Sequence, residues 1–187
     1  MRKFIADLIL KLFGWQVKVT LPTEKKFVLI GAYHTTNWDM PLGILTFWST
    51  EKKIRWVAKQ QIFTWPLGYF FRALGGIAVD RSAPHGFIQQ IASEFDGADE
   101  MILCLAPEGT RSKTDYWKTG FYYIALTAKV PICLGYVDYP SKTLGFEKLV
   151  YPSGDIHEDF QQIKDFYQDK IGKYPEKQGP VRLKDSG

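Results

Sequence analysis

The sequence predicts a single α/β domain, a central mixed and largely parallel sheet flanked by helices, led by an amphipathic N-terminal helix. Three observations carry this expectation. Short apolar runs alternate with segments of helical periodicity, the pattern of an α/β layer fold. The 187 residues, 45% apolar and 16% aromatic, are enough to build one sizeable core. No repeat, low-complexity block or Pro/Gly-rich linker divides the chain. The expected organisation is an amphipathic helical segment over residues 1–20, an α/β domain over 21–172 and a polar, mobile tail over 173–187.

Residues 1–15 place Arg2, Lys3 and Lys11 against Phe4, Ile5, Leu8, Ile9, Leu10, Leu12, Phe13 and Trp15. Asp7 and Lys11 interrupt the apolar run and no small-residue cleavage site follows, so a signal peptide is not expected. The run is too short to span a bilayer. It reads either as a helix lying in a membrane interface or as one packed on the domain's own core.

Strands are expected over 26–31, 54–58, 76–79, 101–106, 132–137 and 145–151. Helix 84–95 begins at Pro84 and spaces Phe87, Ile88, Ile91, Ala92 and Phe95 on one face; helix 119–129 is ended by the restriction Pro131 places on Val130. A third helix, 158–171, buries Phe160, Ile163, Phe166 and Tyr167. The aromatic segment 62–71 reads either as a core helix or as an apolar wall facing an acyl chain or lipid.

A net charge of +4 is a modest basic excess, compatible with anionic lipid or phosphate groups and no strong sign of nucleic acid. Cys104 and Cys133 both fall in apolar runs and read as buried free thiols, which favours a reducing, intracellular setting. His34, His85 and His157 are scattered, with no H-E-x-x-H or C-x-x-C, and no metal site or cofactor is expected. No G-x-G-x-x-G or G-x-x-x-x-G-K-[ST] is present either.

The segment Tyr33-His34-Thr35-Thr36-Asn37-Trp38-Asp39 sets a histidine five residues before an aspartate, just past a strand. On a straight helix that separation rotates the side chains about 140° apart, so the two can meet only across a turn. Thr35, Thr36 and Asn37 offer N-cap side chains, and Pro41 suits a first helical turn. His34 is thereby expected in the loop and Asp39 in the first turn of the next helix, a base and the carboxylate that orients it. Three further segments lie at strand boundaries: 75–81 ends a short strand on Arg81; 106–112, with Glu108, Gly109, Thr110 and Arg111, follows the most apolar run; and 130–132 opens the next strand. Arginine forks, a hydroxyl and turn N–H groups suit an anion. Strand-end loops of an α/β sheet share one crevice, where these residues can converge.

Taken in order, the four segments resemble the four motifs of the glycerolipid acyltransferases, the family containing the 1-acylglycerol-3-phosphate acyltransferases. His34 and Asp39 match its H-x4-D motif, Gly76 to Arg81 the second, Pro107-Glu108-Gly109-Thr110-Arg111 the third and Val130-Pro131-Ile132 the fourth. Two positions depart from the usual pattern: Tyr33 stands before the histidine, and no second proline follows Pro131.

The resemblance implies an O-acyltransferase of phospholipid biosynthesis. His34 and Asp39 would be catalytic, and Arg81, Glu108, Gly109, Thr110 and Arg111 would bind substrate, with capping of the turn as the alternative for Glu108. Its expected partners are acyl-CoA or acyl carrier protein as donor, a phosphorylated lysolipid such as lysophosphatidate as acceptor and a membrane surface, with no nucleic acid. The expected location is peripheral, at the cytoplasmic face of the inner membrane. A thioester leaves as a thiolate, far better than an alkoxide, so one oriented base suffices and no acyl-enzyme is required. The competing expectations are a thioesterase or lipase-like hydrolase that activates water with the same base, and a catalytically idle lipid-binding protein.

Overall fold

The computed structural model describes residues 1–20, 22–79 and 84–184. Six helices and seven strands are distinguished: α1 (Arg2–Leu12), β1 (Gln16–Val19), β2 (Lys26–Ala32), α2 (Asp39–Ser49), β3 (Ile54–Lys59), α3 (Leu67–Ala73), β4 (Gly76–Val79), α4 (Pro84–Asp96), β5 (Met101–Leu105), α5 (Gly120–Ala128), β6 (Ile132–Asp138), β7 (Thr143–Val150) and α6 (Ile156–Tyr167). The strands form one sheet in the order β1-β7-β6-β2-β5-β3-β4. Five of them, β6, β2, β5, β3 and β4, run parallel; β7 is antiparallel to β6, and β1 is parallel to β7. The mixed, largely parallel sheet is the one expected from the sequence.

The central strands are apolar on both sides, as buried parallel strands are. Val28, Ile30 and Ala32 of β2, Met101 and Leu103 of β5, and Ile132, Leu134 and Tyr136 of β6 face α4, α5 and α6, which supply Ile91, Phe95, Phe121, Tyr122, Ile124, Phe160, Ile163 and Tyr167. Phe27, Leu29, Ile102 and Cys133 point the other way and meet Phe47 of α2 and Phe146 of β7. That second face carries far less cover, and the site opens there.

Helix α1 lies on α2 rather than on the sheet. Ala6 and Leu10 are buried against it, Lys3 Nζ donates to Ser49 O at 2.8 Å, and Ser49 Oγ donates to Asp7 Oδ1. Phe4, Leu8 and Leu12, spaced by four, face outward and are 72%, 56% and 77% exposed. The helix thus has one packed stripe and one unpartnered apolar stripe. The aromatic segment divides likewise. Phe63 is buried, with its ring 5.8 Å from Trp56. Trp65, Leu67, Tyr69 and Phe70 stand in solvent.

The structure departs from the sequence expectations in four places. Strand β1 was not foreseen; its four residues are half in solvent, and it joins the sheet only by pairing with β7. Helix α6 starts two residues early, where Asp155 accepts from the N–H groups of His157 and Glu158, and ends at Tyr167 instead of Ile171. No side-chain oxygen of Thr35, Thr36 or Asn37 caps α2, whose cap residue is Trp38. The tail expected to be mobile is packed as far as residue 184: Val181 is buried in the main core with Leu183 against it, and Arg182 Nε donates to Asp115 O at 2.6 Å. Val181 and Leu183, two apolar residues spaced by two, reach the core there, a signal that the polar composition of the segment masks.

Candidate active site

The carboxyl ends of β2, β5 and β6 lie side by side, because Ile30 pairs with Leu105 and Ala32 with Tyr136 in parallel register. The residues that follow each strand therefore emerge at one edge: His34 after β2, Glu108 to Arg111 after β5 and Tyr139 after β6.

His34 Nδ1 lies 3.1 Å from Asp39 Oδ2, and Asp39 is the first residue of α2, as the spacing requires. The same oxygen accepts the backbone N–H groups of Thr35 and Thr36, each at 3.0 Å. The loop therefore turns its donors onto the carboxylate instead of supplying a cap to the helix. Asp39 Oδ1 accepts Tyr139 Oη at 2.7 Å. With the carboxylate on Nδ1, the imidazole keeps Nε2 as its free acceptor, and His34 lines the adjoining cavity.

Glu108 is placed differently from the substrate contact that its motif implies. Only 4% of it is exposed, it does not line the cavity, and its Oε1 accepts the backbone N–H of His34 at 3.0 Å. Oε2 has no hydrogen-bond partner among the described residues. Burial pushes this carboxyl up to about 7, with the Asp39 charge adding to the rise and the His34 N–H opposing it. Glu108 thus ties the third segment to the first from inside the domain, because the turn after β5 leads Pro107 and Glu108 inward.

The rest of that turn does face the cavity. Ala106 O accepts the Gly109 N–H at 3.0 Å, and Gly109 has φ +64°, a conformation that glycine adopts without strain. Gly109, Thr110 and Arg111 line the cavity, and Arg111 Nη1 donates to Asn37 Oδ1 at its exposed rim. Arg81 lies outside the described residues, as does the side chain of His85.

The cavity encloses about 650 Å³ on the thinly covered face of the sheet, between β2, β5, β6 and α2. Leu29, Ile54, Phe47 and Phe146 make apolar walls, and Gly31 and Gly43 leave room: a Cβ on either would meet nothing within 4 Å. Met40 and Ile62 also border a smaller apolar hollow that reaches Trp65 and Leu67. Cys104 lines the cavity too, but burial pushes its thiol up to about 12, and that of Cys133 equally, so neither supplies a thiolate at neutral pH. Tyr33, the departure before the histidine, belongs to the core, with its ring 6.4 Å from Trp117 and 6.2 Å from Tyr167.

Sequence reasoning missed Tyr139, which reaches Asp39 across a separation of 100 residues. The available signal was topological: a residue just past a strand parallel to β2 must surface beside His34. Among the described residues no group of three or more His, Cys, Asp or Glu side chains is placed to hold a metal, and no helix is long and apolar enough to cross a membrane.

His34 and Asp39 thus stand together on the wall of an apolar cavity, and residues 16–134, more than half of the chain, match the family model described as Acyltransferase. The chain belongs to that acyltransferase family. Its fold is similar to the crystal structure of PlsC, the 1-acyl-sn-glycerophosphate (LPA) acyltransferase from Thermotoga maritima, with a TM-score of 0.61 and 17% sequence identity over 87% of this chain and 73% of that one. No curated protein matches the chain in sequence.

Proposed function

We propose that the protein moves a fatty acyl group from an acyl thioester, acyl-CoA or acyl carrier protein, to the hydroxyl of lysophosphatidate or a related lysolipid, a step of phospholipid synthesis. The observation that carries this reading is the His34–Asp39 pair at the mouth of the 650 Å³ cavity. His34 Nε2 takes the proton of the acceptor hydroxyl as its oxygen attacks the thioester carbonyl. The tetrahedral intermediate collapses by breaking the C–S bond, and the departing thiolate takes the proton back from the imidazolium. General-base assistance supplies about 10²–10⁴ in rate, and positioning of the two substrates supplies much of the rest.

The apolar walls suit the acyl chain, and Arg111 at the rim suits the acceptor phosphate. The outward stripe of α1, with Arg2 and Lys3 beside it, and the exposed Trp65, Leu67, Tyr69 and Phe70 suit the interface of a membrane, on its cytoplasmic face. The similarity in fold to a lysophosphatidate acyltransferase supports the choice of acceptor.

Incubation in detergent with labelled acyl-CoA or acyl carrier protein, with and without lysophosphatidate, and with His34→Ala in parallel, tests the reading by mass. The expected result is acceptor-dependent diacyl product, abolished in His34→Ala. Free fatty acid formed without regard to acceptor would make the protein a hydrolase, and binding without turnover a lipid carrier. Retention of more than about a tenth of kcat by folded His34→Ala would remove the histidine as base.

A further inference from the structure

Asp39 is held from two sides. Its Oδ2 takes three N–H donors, all from its own loop: His34 Nδ1, Thr35 N and Thr36 N. Its Oδ1 takes the hydroxyl of Tyr139, from the segment that follows β6. A carboxylate anchored through one oxygen can swing about it, and the second anchor fixes its plane. We propose that Tyr139 is a positioning residue of the His34–Asp39 pair, setting the plane of the carboxylate and sharing its charge. This inference rests on the catalytic reading of that pair.

Tyr139 is itself fixed at several points. Its backbone N–H donates to Ile171 O at 3.0 Å, its carbonyl accepts from Lys142 N at 3.2 Å, and its ring meets Trp15 edge-on at 5.1 Å. Trp15 N donates to Leu10 O at 2.8 Å, so the ring packs against the end of α1. Burial, and then the Asp39 carboxylate, hold the phenol far above its ordinary range, and it stays a donor throughout the pH range of assay.

The other ionisable groups facing the pair come from separate elements. Glu108 approaches from the turn after β5 and is bonded to the His34 backbone; Arg111 is turned onto Asn37; Tyr174 of the C-terminal segment faces Tyr139. Among the described residues, Tyr139 is the hydrogen-bond donor to Oδ1.

The test is Tyr139→Phe, which keeps the ring against Trp15 and deletes only the donor. With lysophosphatidate and acyl-CoA in detergent, kcat is expected to fall about tenfold while both KM values stay within about twofold, the loss of one charge-assisted hydrogen bond that does not touch substrate. The acidic limb of the kcat/KM profile is expected to move up by about half a pH unit, because a carboxylate relieved of one donor holds the imidazolium proton more firmly. A purely structural tyrosine would lower the rate at every pH and leave the limb in place, and that outcome overturns the proposal.

A double-mutant cycle gives a second reading that is indifferent to overall stability. In an Asp39→Asn background, Tyr139→Phe is expected to cost less than about twofold, whereas additive losses would show that the two side chains act independently. His34→Ala is carried alongside. If it retains activity the catalytic reading itself fails; if it is dead while the Tyr139→Phe limb is unmoved, this inference alone fails.

Discussion

Glu108 Oε1 accepts the backbone N–H of His34 at 3.0 Å, so the third motif grips the first from within the domain and not across the substrate. Burial around this bond disfavours the carboxylate's charge while the bond itself favours it, and the protein's stability must register the balance.

In the native chain burial raises the Glu108 carboxyl to about 7, from an ordinary value of 4.5. Between those two values the folded state keeps a proton that the unfolded state has released, so stability falls as pH rises through the window, by about 3 kcal/mol at most. Glu108→Gln still offers an acceptor to His34 and removes this dependence. Denaturant melts at the two ends of the window are expected to differ for the wild type and to converge for the variant; equal slopes in both proteins would place the carboxyl's titration elsewhere. Glu108→Leu, which strands the His34 N–H, is expected to cost about 1–3 kcal/mol and most of the activity.

Arg111→Ala is expected to raise the KM for a phosphorylated acceptor by about tenfold and to leave that for the acyl donor nearly unchanged, the low end for a charge-assisted contact because the guanidinium is exposed. Arg81→Ala is expected to behave alike. Kinetics with monoacylglycerol in place of lysophosphatidate check the assignment: an equal loss toward the unphosphorylated acceptor would make these arginines structural.

Gly43 lies on α2, lines the cavity and has open space where a Cβ would stand. Gly43→Leu is expected to shorten the longest acyl chain accepted while stability holds or rises, since glycine inside a helix costs about 0.8–1 kcal/mol relative to good helix formers. A kcat/KM series over acyl-CoA lengths reads this directly. An unchanged length profile would show that the chain lies elsewhere.

Replacing Phe4, Leu8 and Leu12 with serine is expected to reduce flotation with anionic vesicles while activity on a detergent-dispersed acceptor and the melting temperature change little, because the three side chains touch solvent and not the core. Wild-type flotation should weaken as salt rises. Undiminished flotation of the triple variant would remove α1 as the contact and move it to Trp65, Leu67, Tyr69 and Phe70.

The pair at the centre of the site was legible because a fixed spacing of five residues allows contact only across a turn, and the strand and helix on either side were themselves legible from periodicity. Most strands could be read for the same reason: apolar runs such as Met101–Leu105 are local signals. What stayed hidden depends on partners distant in sequence. Strand β1 is defined by its pairing with β7, Tyr139 by the register of β6 against β2, and the docking of Val181 by a core drawn from strands and helices along the whole chain. Glu108 shows a further limit. Its motif names the residue, and only the path of the turn decides whether the carboxyl faces substrate or the interior.

The unequal clothing of the sheet has a consequence for how this enzyme can vary. Three helices, α4, α5 and α6, close one face with large interlocked side chains such as Tyr122, Phe160 and Tyr167, while the opposite face, under α2, is the one that holds the cavity. Because successive residues of each central strand point to opposite faces, neighbours in sequence serve separate masters: Ile30 answers to the interior and Gly31 to the cavity. Stability and selectivity can therefore drift independently along the same strand, one residue apart.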